Sequence, residues 1–514
     1  MEIIQERALK LKLKQPNRVT TVIPKSQRIS EHEVLVHWGI DEAQVLNNLG
    51  IKVPSPIRSR YDWPSVYKPF DHQRKTSEFL TLNKRSFCFN EQGTGKTASV
   101  IWAADFLMKQ KRINRVLVVC PLSIMHSAWK DDLFKFAMHR RVDVAYGTPT
   151  ARRKVISSNA EFVVINYDGI RIVLDEIAAG GFDLIVIDEA TYLKNPSTER
   201  WKVIKSLIGP ETWLWLLTGT PAAQSPVDAF GLAKLVNPAG ISRTLGGWRD
   251  TVMYKVTKFK WVAKPTAPAL VHDALQPAIR FTKEECMDLP DMVYVHREVP
   301  LTKQQMKYYE MLRKDAYAQA EGESITAVNA AALVNKLLQI SSGALYSDNK
   351  EVLEFDISKR YQALKEVIDE TNNKVLVFAP YKHCIDLIMK MLRKDKVSVN
   401  MIRGDVSANK RTDLIRRFQS EDEPRVLVIQ PQAAAHGVTL TAADTIVWWG
   451  PTPSLEIYAQ ANARVHRSGQ KNKSTVVHLH GSKVEERMYK LLGEKIDIHS
   501  QILDFYKNLI DYDK

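Results

Sequence analysis

Two glycines, a lysine and a threonine crowd into one short stretch, Asn90-Glu91-Gln92-Gly93-Thr94-Gly95-Lys96-Thr97. An apolar run, Ser86–Phe89, precedes it and a helical pattern follows. Glycines let backbone N–H groups approach a phosphate. The lysine neutralises the β- and γ-phosphates, and the threonine hydroxyl reaches Mg²⁺. Gly93, Thr94, Gly95, Lys96 and Thr97 are therefore expected to hold a nucleotide. The strict G-x-x-x-x-G-K-[ST] pattern fails at its first place, Asn90. An ordinary glycine-rich turn is the plain alternative, and the strand before and helix after count against it.

Asp183-Leu-Ile-Val-Ile-Asp188-Glu189-Ala190 supplies the partner chemistry. Carboxylates at the end of a buried strand are costly unless paired or metal-bound. Asp188 is expected to hold Mg²⁺ through its water shell. Glu189 is expected to orient and deprotonate the attacking water. Alone, the D-E pair is no more than a strand end; beside a phosphate loop it completes a hydrolytic site. A third stretch, Asn462 to Gln470, carries Arg464 and Arg467. Arginines three apart share one helical face. They form either a solvated basic face or a pair of arginine fingers on a γ-phosphate, and the other two stretches favour the fingers.

Such residues need strands that end where they stand. Ser86–Phe89, Val116–Cys120, Phe162–Ile165, Leu184–Ile187 and Trp213–Leu217 are apolar runs of strand length, as are Val375–Phe378, Val426–Ile429, Thr445–Trp448 and Val476–Leu479. Runs without alternation suit parallel strands buried on both faces. With helical segments between them they predict an α/β protein of two doubly wound domains, at 63–240 and 351–482. Between these, 241–350 is expected to be a helical insertion and connection: Thr302 and Gln305 form a capping box, and Met306, Tyr309, Leu312 then Leu333, Leu337, Ile340 recur at helical spacing. Residues 483–514 are expected to be a C-terminal helix packing back on the domains, with Val484, Met488 and Leu491 on one face.

Residues 1–62 form a small basic α+β domain in this reading. Ala8–Lys14 alternates strictly, placing Lys10, Lys12 and Lys14 on one face of a strand and Leu9, Leu11 and Leu13 on the other. The lysines either guard a sheet edge or face phosphates. Arg18–Ile23 is a second strand candidate; Asp41–Leu49 looks helical, with Gly50 as its stop.

The 514 residues are 45% apolar and 25% charged, an ordinary globular composition. The net charge of +15 fits a polyanionic partner without choosing among DNA, RNA and anionic lipid. Cys88, Cys120, Cys286 and Cys384 are far apart in sequence, which argues against a zinc ribbon and for a reducing compartment. His126, His383 and His466 lack metal-ligand spacing, so no zinc is expected. No apolar run approaches the roughly 18 residues that span a bilayer, and the first residues lack a signal-peptide core. A soluble protein with no membrane partner is expected, cytoplasmic, or nuclear in a eukaryote. Trp448 and Trp449 are adjacent: one stacks on a base or wedges a duplex, or both pack in the sheet.

With these stretches in place, the chain resembles a Swi/Snf-type DNA translocase of helicase superfamily two from about Lys68 to Ile502. Gln73, in Phe70-Asp71-His72-Gln73, matches the glutamine that reads adenine. Asn90–Thr97 matches D-E-x-G-x-G-K-T, which also lacks the first glycine. Pro121-Leu122-Ser123 with Trp129 resembles motif Ia, a nucleic-acid backbone contact. Asp188-Glu189-Ala190-Thr191 with Lys194-Asn195 resembles D-E-A-H and its downstream K-N, with Thr191 in place of histidine. Leu217-Thr218-Gly219-Thr220-Pro221, near Gln224, matches motif III; Gln276-Pro277 to Arg280, then Leu289-Pro290, resembles the stretch after lobe one. Gln460-Ala461, Arg464, His466-Arg467 and Gly469-Gln470 match motif VI. Gln430–Leu440 has less glycine than the family's motif V and no asparagine, and Trp448-Trp449-Gly450-Pro451 replaces D-P-x-W-N. Both departures resemble the shorter phage and prophage members. No chromodomain, bromodomain or RING-like addition is present, which argues against nucleosome work. The N-terminal domain faintly resembles HARP-type modules of annealing helicases, without a shared motif.

The resemblance implies two RecA-like lobes with ATP and Mg²⁺, nucleotide contacts from Gln73 and Gln460, and nucleic-acid contacts from Ser123, Lys194, Thr220, His436 and Thr439. It implies a DNA-dependent ATPase, a monomer that translocates on duplex or branched DNA. Such an enzyme regresses forks, migrates branches, anneals strands or displaces bound protein, beside phage or host replication and recombination proteins. A strand-separating DNA or RNA helicase of the same superfamily and an ATP-switched binding protein are the alternatives.

Overall fold

A computed structural model describes residues 1–64, 66–219, 221–222, 225–257, 261–286, 292–320, 327–346, 352–434, 439–466, 470 and 472–494. The chain divides into two compact units, Met1–Met287 and Asp288–Lys514.

The first unit begins with a four-stranded antiparallel sheet in the order Glu2–Ile4, Ala8–Lys12, Glu33–His37, Ser26–Arg28. Leu9, Leu11, Val34 and Val36 alternate inward and bury against Trp38, Ala43 and Leu46. Lys10, Lys12 and Lys14 lie on the outer side, as the alternation predicts. The lysine strand is an edge only in part, however. It lies between two partners over Ala8–Lys10, while from Leu11 onward only the Glu33–His37 side is paired, so the edge-guard reading fails for Lys10 and stands for Lys12 and Lys14. Helix Ile40–Asn48 stops before Gly50, whose φ of +82° suits glycine. The expected strand Arg18–Ile23 is instead the helical turn Asn17–Thr20. Pro16 lacks an N–H and fits a helix start, while Val19 and Ile23, four apart, both reach the core.

The larger sheet of this unit has seven strands, all parallel, in the order Ala278–Ile279, Arg85–Cys88, Trp213–Leu217, Leu184–Asp188, Val116–Cys120, Phe162–Asn166, Val142–Ala145. The five expected strands are all present. The two additions are an outer strand with half-exposed positions and a strand of two residues, neither of which leaves an apolar run. Leu117 and Val119 enter one core, and Val116, Val118 and Cys120 the other, so both faces are covered.

The second unit holds six parallel strands in the order Met292–Glu298, Ser474–His480, Ala443–Trp448, Lys374–Phe378, Val426–Ile429, Val399–Ile402. The stretch expected as one insertion, 241–350, is divided. Ala278–Ile279 joins the first sheet and Met292–Glu298 the second. The Tyr309, Leu333, Leu337 and Ile340 stripes fill the second unit's own core. Helix Lys483–Gly493 buries Val484, Met488 and Leu491 in that core, as expected, and residues 495–514 lie outside the described residues.

Trp448 and Trp449 are both fully buried, on opposite faces of the sheet. The Trp448 indole donates to Asn462 Oδ1 (3.0 Å) and that of Trp449 to Ser342 O (2.8 Å). Neither ring is available to a base, which overturns the stacking and wedge reading. Among the described residues no helix is long and apolar enough to cross a membrane.

Candidate nucleotide site

The phosphate loop leaves the Arg85–Cys88 strand and runs into helix Lys96–Lys109. Gly93 and Gly95 have φ of +88° and +79°, left-handed values that strain any residue with a side chain. A Cβ on Gly95 would also collide with the Gln73 amide. Gln73 lies in the first turn of helix Asp71–Leu82. It accepts from the Phe70 N–H (3.0 Å) and donates to Thr94 O (3.3 Å), while a His72 ring nitrogen lies 2.8 Å from that carbonyl. Gln73, expected to read adenine, is thus packed on the loop itself. Lys96 Nζ donates to Asn90 O (2.8 Å) and Glu91 O (3.2 Å), folding its charge over the loop. The N–H groups of the first helical turn have no partner within the helix, which suits an anion. Thr97 lies half-buried in that turn.

Asn90, at the departing position, is buried and works as a bracket. Its Nδ2 donates to Thr76 Oγ1 (2.8 Å) and its Oδ1 accepts from the Phe281 N–H (3.0 Å). Glu91 extends the bracket: its N–H donates to Phe281 O (2.9 Å) and its carboxylate accepts from the Lys283 N–H (3.2 Å). The loop is therefore laced to the stretch that follows the Ala278–Ile279 strand.

Leu184–Asp188 lies inside the sheet, parallel to Arg85–Cys88, so Asp188 emerges at the end where the loop stands. Asp188 Oδ1 accepts from the Glu189 N–H (3.0 Å) and Oδ2 from the Trp129 indole (2.9 Å). Trp129 is fully buried. The expectation that it belongs to a nucleic-acid contact is corrected: its polar atom faces a carboxylate. Glu189 takes a φ of +55°, and the Tyr167 hydroxyl donates to the carbonyls of Asp188 (2.7 Å) and Glu189 (3.2 Å). Burial, with the charges of Asp188 and Glu189, pushes the Tyr167 hydroxyl well above its ordinary value, so it stays a donor. Gln92 Nε2 donates to Glu189 Oε1 (3.4 Å), joining the loop to the carboxylates. Gln92, Tyr167 and the true partner of Trp129 were beyond sequence reasoning. A buried polar side chain at the end of an apolar strand was the one available signal for Asn90. Burial pushes the Cys88 thiol up to about 11, so it is no nucleophile.

Among the described residues no cluster of three or more His, Cys, Asp or Glu could cage a metal. The Asp188 carboxylate and Thr97 hydroxyl are hard oxygen donors that fit Mg²⁺ shared with phosphates and water. In the second unit, Arg464 is buried after helix Leu455–Asn462, its carbonyl accepting from the Leu440 N–H (2.9 Å). Gln460 donates to Glu456 Oε1 (3.0 Å). Gln470 donates to Ala443 O (2.8 Å), stapling the start of a strand. Arg467, Thr220 and His436 lie outside the described residues, as does the Ser123 side chain; its backbone belongs to the short turn Leu122–Ile124. Lys194 lies 3.4 Å from Asp228, Thr439 is half-buried, and Lys10 is paired with Glu33 at 3.2 Å while Lys12 and Lys14 are exposed.

A glycine-lysine loop and a carboxylate pair at one end of a parallel sheet define a phosphate-loop nucleotide lobe. A model of the SNF2-related domain matches residues 72–343, and one of the helicase conserved C-terminal domain matches residues 359–469. The chain belongs to the SNF2-related family, and each of its two units holds one of the parallel sheets. An "Uncharacterized ATP-dependent helicase" of Mycoplasma genitalium is 28% identical over 82% of this chain and 41% of its own length. Putative protein p41 of Acyrthosiphon pisum secondary endosymbiont phage 1 is 24% identical over 85% of this chain and 98% of its own length. The chain thus spans about two fifths of the mycoplasma relative and nearly all of the phage one. The Sulfolobus solfataricus SWI2/SNF2 ATPase core, solved in complex with dsDNA, aligns at 23% identity over 85% of this chain and 94% of its own, with a TM-score of 0.41.

Proposed function

We propose that this protein is a DNA-dependent ATPase that translocates on duplex DNA and remodels branched DNA or displaces bound protein. The observation that carries the ATPase is the join between phosphate loop and carboxylates, Gln92 to Glu189. Gln73 holds the base, and Lys96 leaves its two carbonyls for the β- and γ-phosphates. Mg²⁺, when bound, neutralises charge on the phosphates; Thr97 and Asp188 are the residues that would hold it. Glu189 takes the proton of the attacking water. Gln460 assists nucleotide binding, and Arg464 and Arg467 stabilise the departing γ-phosphate.

DNA as the partner rests on the net charge of +15 and on the family. Ser123, Lys194, Thr220, His436 and Thr439 contact the phosphate backbone, so binding tolerates sequence and weakens with salt. Lys10, Lys12 and Lys14 add grip on forks. The name ATP-dependent helicase among the relatives favours strand separation as the second reading. ATPase rate against single-stranded, duplex, forked and four-way DNA, with RNA as control, tests the proposal. Fork-dependent stimulation with bubble annealing is expected; unwinding of a plain tailed duplex would favour the second reading, and stimulation by RNA alone would refute DNA as partner.

A further inference from the structure

The turn that follows the Val116–Cys120 strand has an uncommon geometry. Leu122–Ile124 is one 3-10 turn, Met125–Lys130 is a π-helix, and only then does an ordinary helix, Asp131–Phe136, begin. A π turn inserts a residue into the helical ladder and is rare away from functional sites. Here it carries Trp129 into the core beneath the sheet, with its indole nitrogen 2.9 Å from Asp188 Oδ2.

An indole N–H only donates, so it holds Asp188 Oδ2 as an acceptor. The Glu189 N–H takes the other oxygen at 3.0 Å. With a donor on each oxygen, the plane of the carboxylate is held from two different elements. One of those elements, the π turn Met125–Lys130, follows directly on the turn Leu122–Ile124, whose Ser123 lies six residues before Trp129. Because the ring is fully buried, a rotation of this turn cannot leave the indole where it stands.

We propose that Trp129 is a positioning residue for the Asp188 carboxylate, and that the π turn is the path by which nucleic acid at Leu122–Ile124 acts on that carboxylate. The proposal rests on the reading of Asp188 as the Mg²⁺ acid and of Ser123 as a nucleic-acid contact. A DNA-induced shift of the turn re-aims one donor, and with it the oxygen offered to the metal.

The test uses the full chain with Trp129 replaced by its benzothiophene isostere, where sulfur takes the place of N–H without change of shape, and Trp129→Phe as a second variant. Three quantities are measured: the melting temperature, Mn²⁺ affinity of the complex with a non-hydrolysable ATP analogue by electron paramagnetic resonance, and the ratio of DNA-stimulated to basal ATPase. For the isostere, an unchanged melting temperature is expected, with Mn²⁺ affinity lower by roughly tenfold, as befits one lost bond to a charged group. The stimulation ratio is expected to fall as well. Unchanged Mn²⁺ affinity in the folded isostere overturns the positioning role, and lowered affinity with an intact stimulation ratio overturns the path. If the unmodified protein shows no DNA stimulation, the proposed function fails, and the Mn²⁺ measurement still decides the positioning role.

Discussion

Asn90 occupies the place where a nucleotide loop ordinarily begins with glycine, and it answers two groups at once, Thr76 and the Phe281 N–H. Glycine there would take the acceptor from the Phe281 N–H and one donor from Thr76 Oγ1, which keeps its own bond to His72 O (2.7 Å). Asn90→Gly is expected to lower stability by about 1–3 kcal/mol, the cost of unsatisfied buried polar groups; denaturant unfolding measures it, and a loss below that range would show the bracket to be dispensable. Glu189→Gln keeps the hydrogen bond from Gln92 and removes the base. ATP binding should persist while turnover falls by roughly 10²–10⁴-fold; turnover within a few-fold of the parent would remove Glu189 from the chemistry. Lys96, Thr97, Asp188 and Glu189 were legible in the sequence because their neighbours along the chain declare them. Trp129 and Tyr167 were not, since each meets the carboxylates from a distant stretch, through bonds that leave no periodic trace.

At the scale of elements, the Ser474–His480 strand buries a histidine in a cluster of rings. His478 stacks on Tyr489 with centroids 4.1 Å apart, receives His296 edge-on at 4.8 Å, and lies 2.8 Å from the Tyr458 hydroxyl. Burial, then the neighbouring His296 and His480, pulls its pKa down to about 3. The folded protein therefore keeps His478 neutral where the unfolded chain, at about 6.5, takes up a proton. Its contribution to stability is complete above pH 6.5 and is lost progressively as the pH falls toward 3. The melting temperature should drop between pH 7 and pH 5, and His478→Phe should flatten that drop, leaving a residual slope from His480, which burial also pulls down. An equally steep drop in the variant would assign the effect elsewhere. The strand itself was evident from its apolar run. Its neighbour Met292–Glu298 was not, because three of its seven positions are exposed at the sheet's edge and the rest only half-buried.

Over the whole molecule, the phosphate loop and carboxylates belong to the first unit and Arg464 to the second. Arg464→Ala is expected to leave nucleotide binding in place and cut turnover by about 10³–10⁵-fold, the range for lost arginine fingers; steady-state ATPase beside nucleotide titration separates the two, and near-parental turnover would exclude the finger. Both parallel sheets were foreseen from unalternating apolar runs, whereas strict alternation gave away one strand of the N-terminal sheet, Ala8–Lys12, and not its three partners. The division of 241–350 between the units was hidden, since helical spacing says that a stripe is buried and not which core buries it. The lacing of the phosphate loop also has a consequence in time. The N–H groups of Phe87, Phe89 and Glu91 bond to the carbonyls of Pro277, Ile279 and Phe281, about 190 residues later. A ribosome adding roughly 5–20 residues per second needs about 10–40 s to deliver them. Through that interval the nascent chain carries its most chemically committed strand as an open edge, a template for wrong pairing. The phosphate loop is thus synthesised well before the stretch that closes the edge beside it.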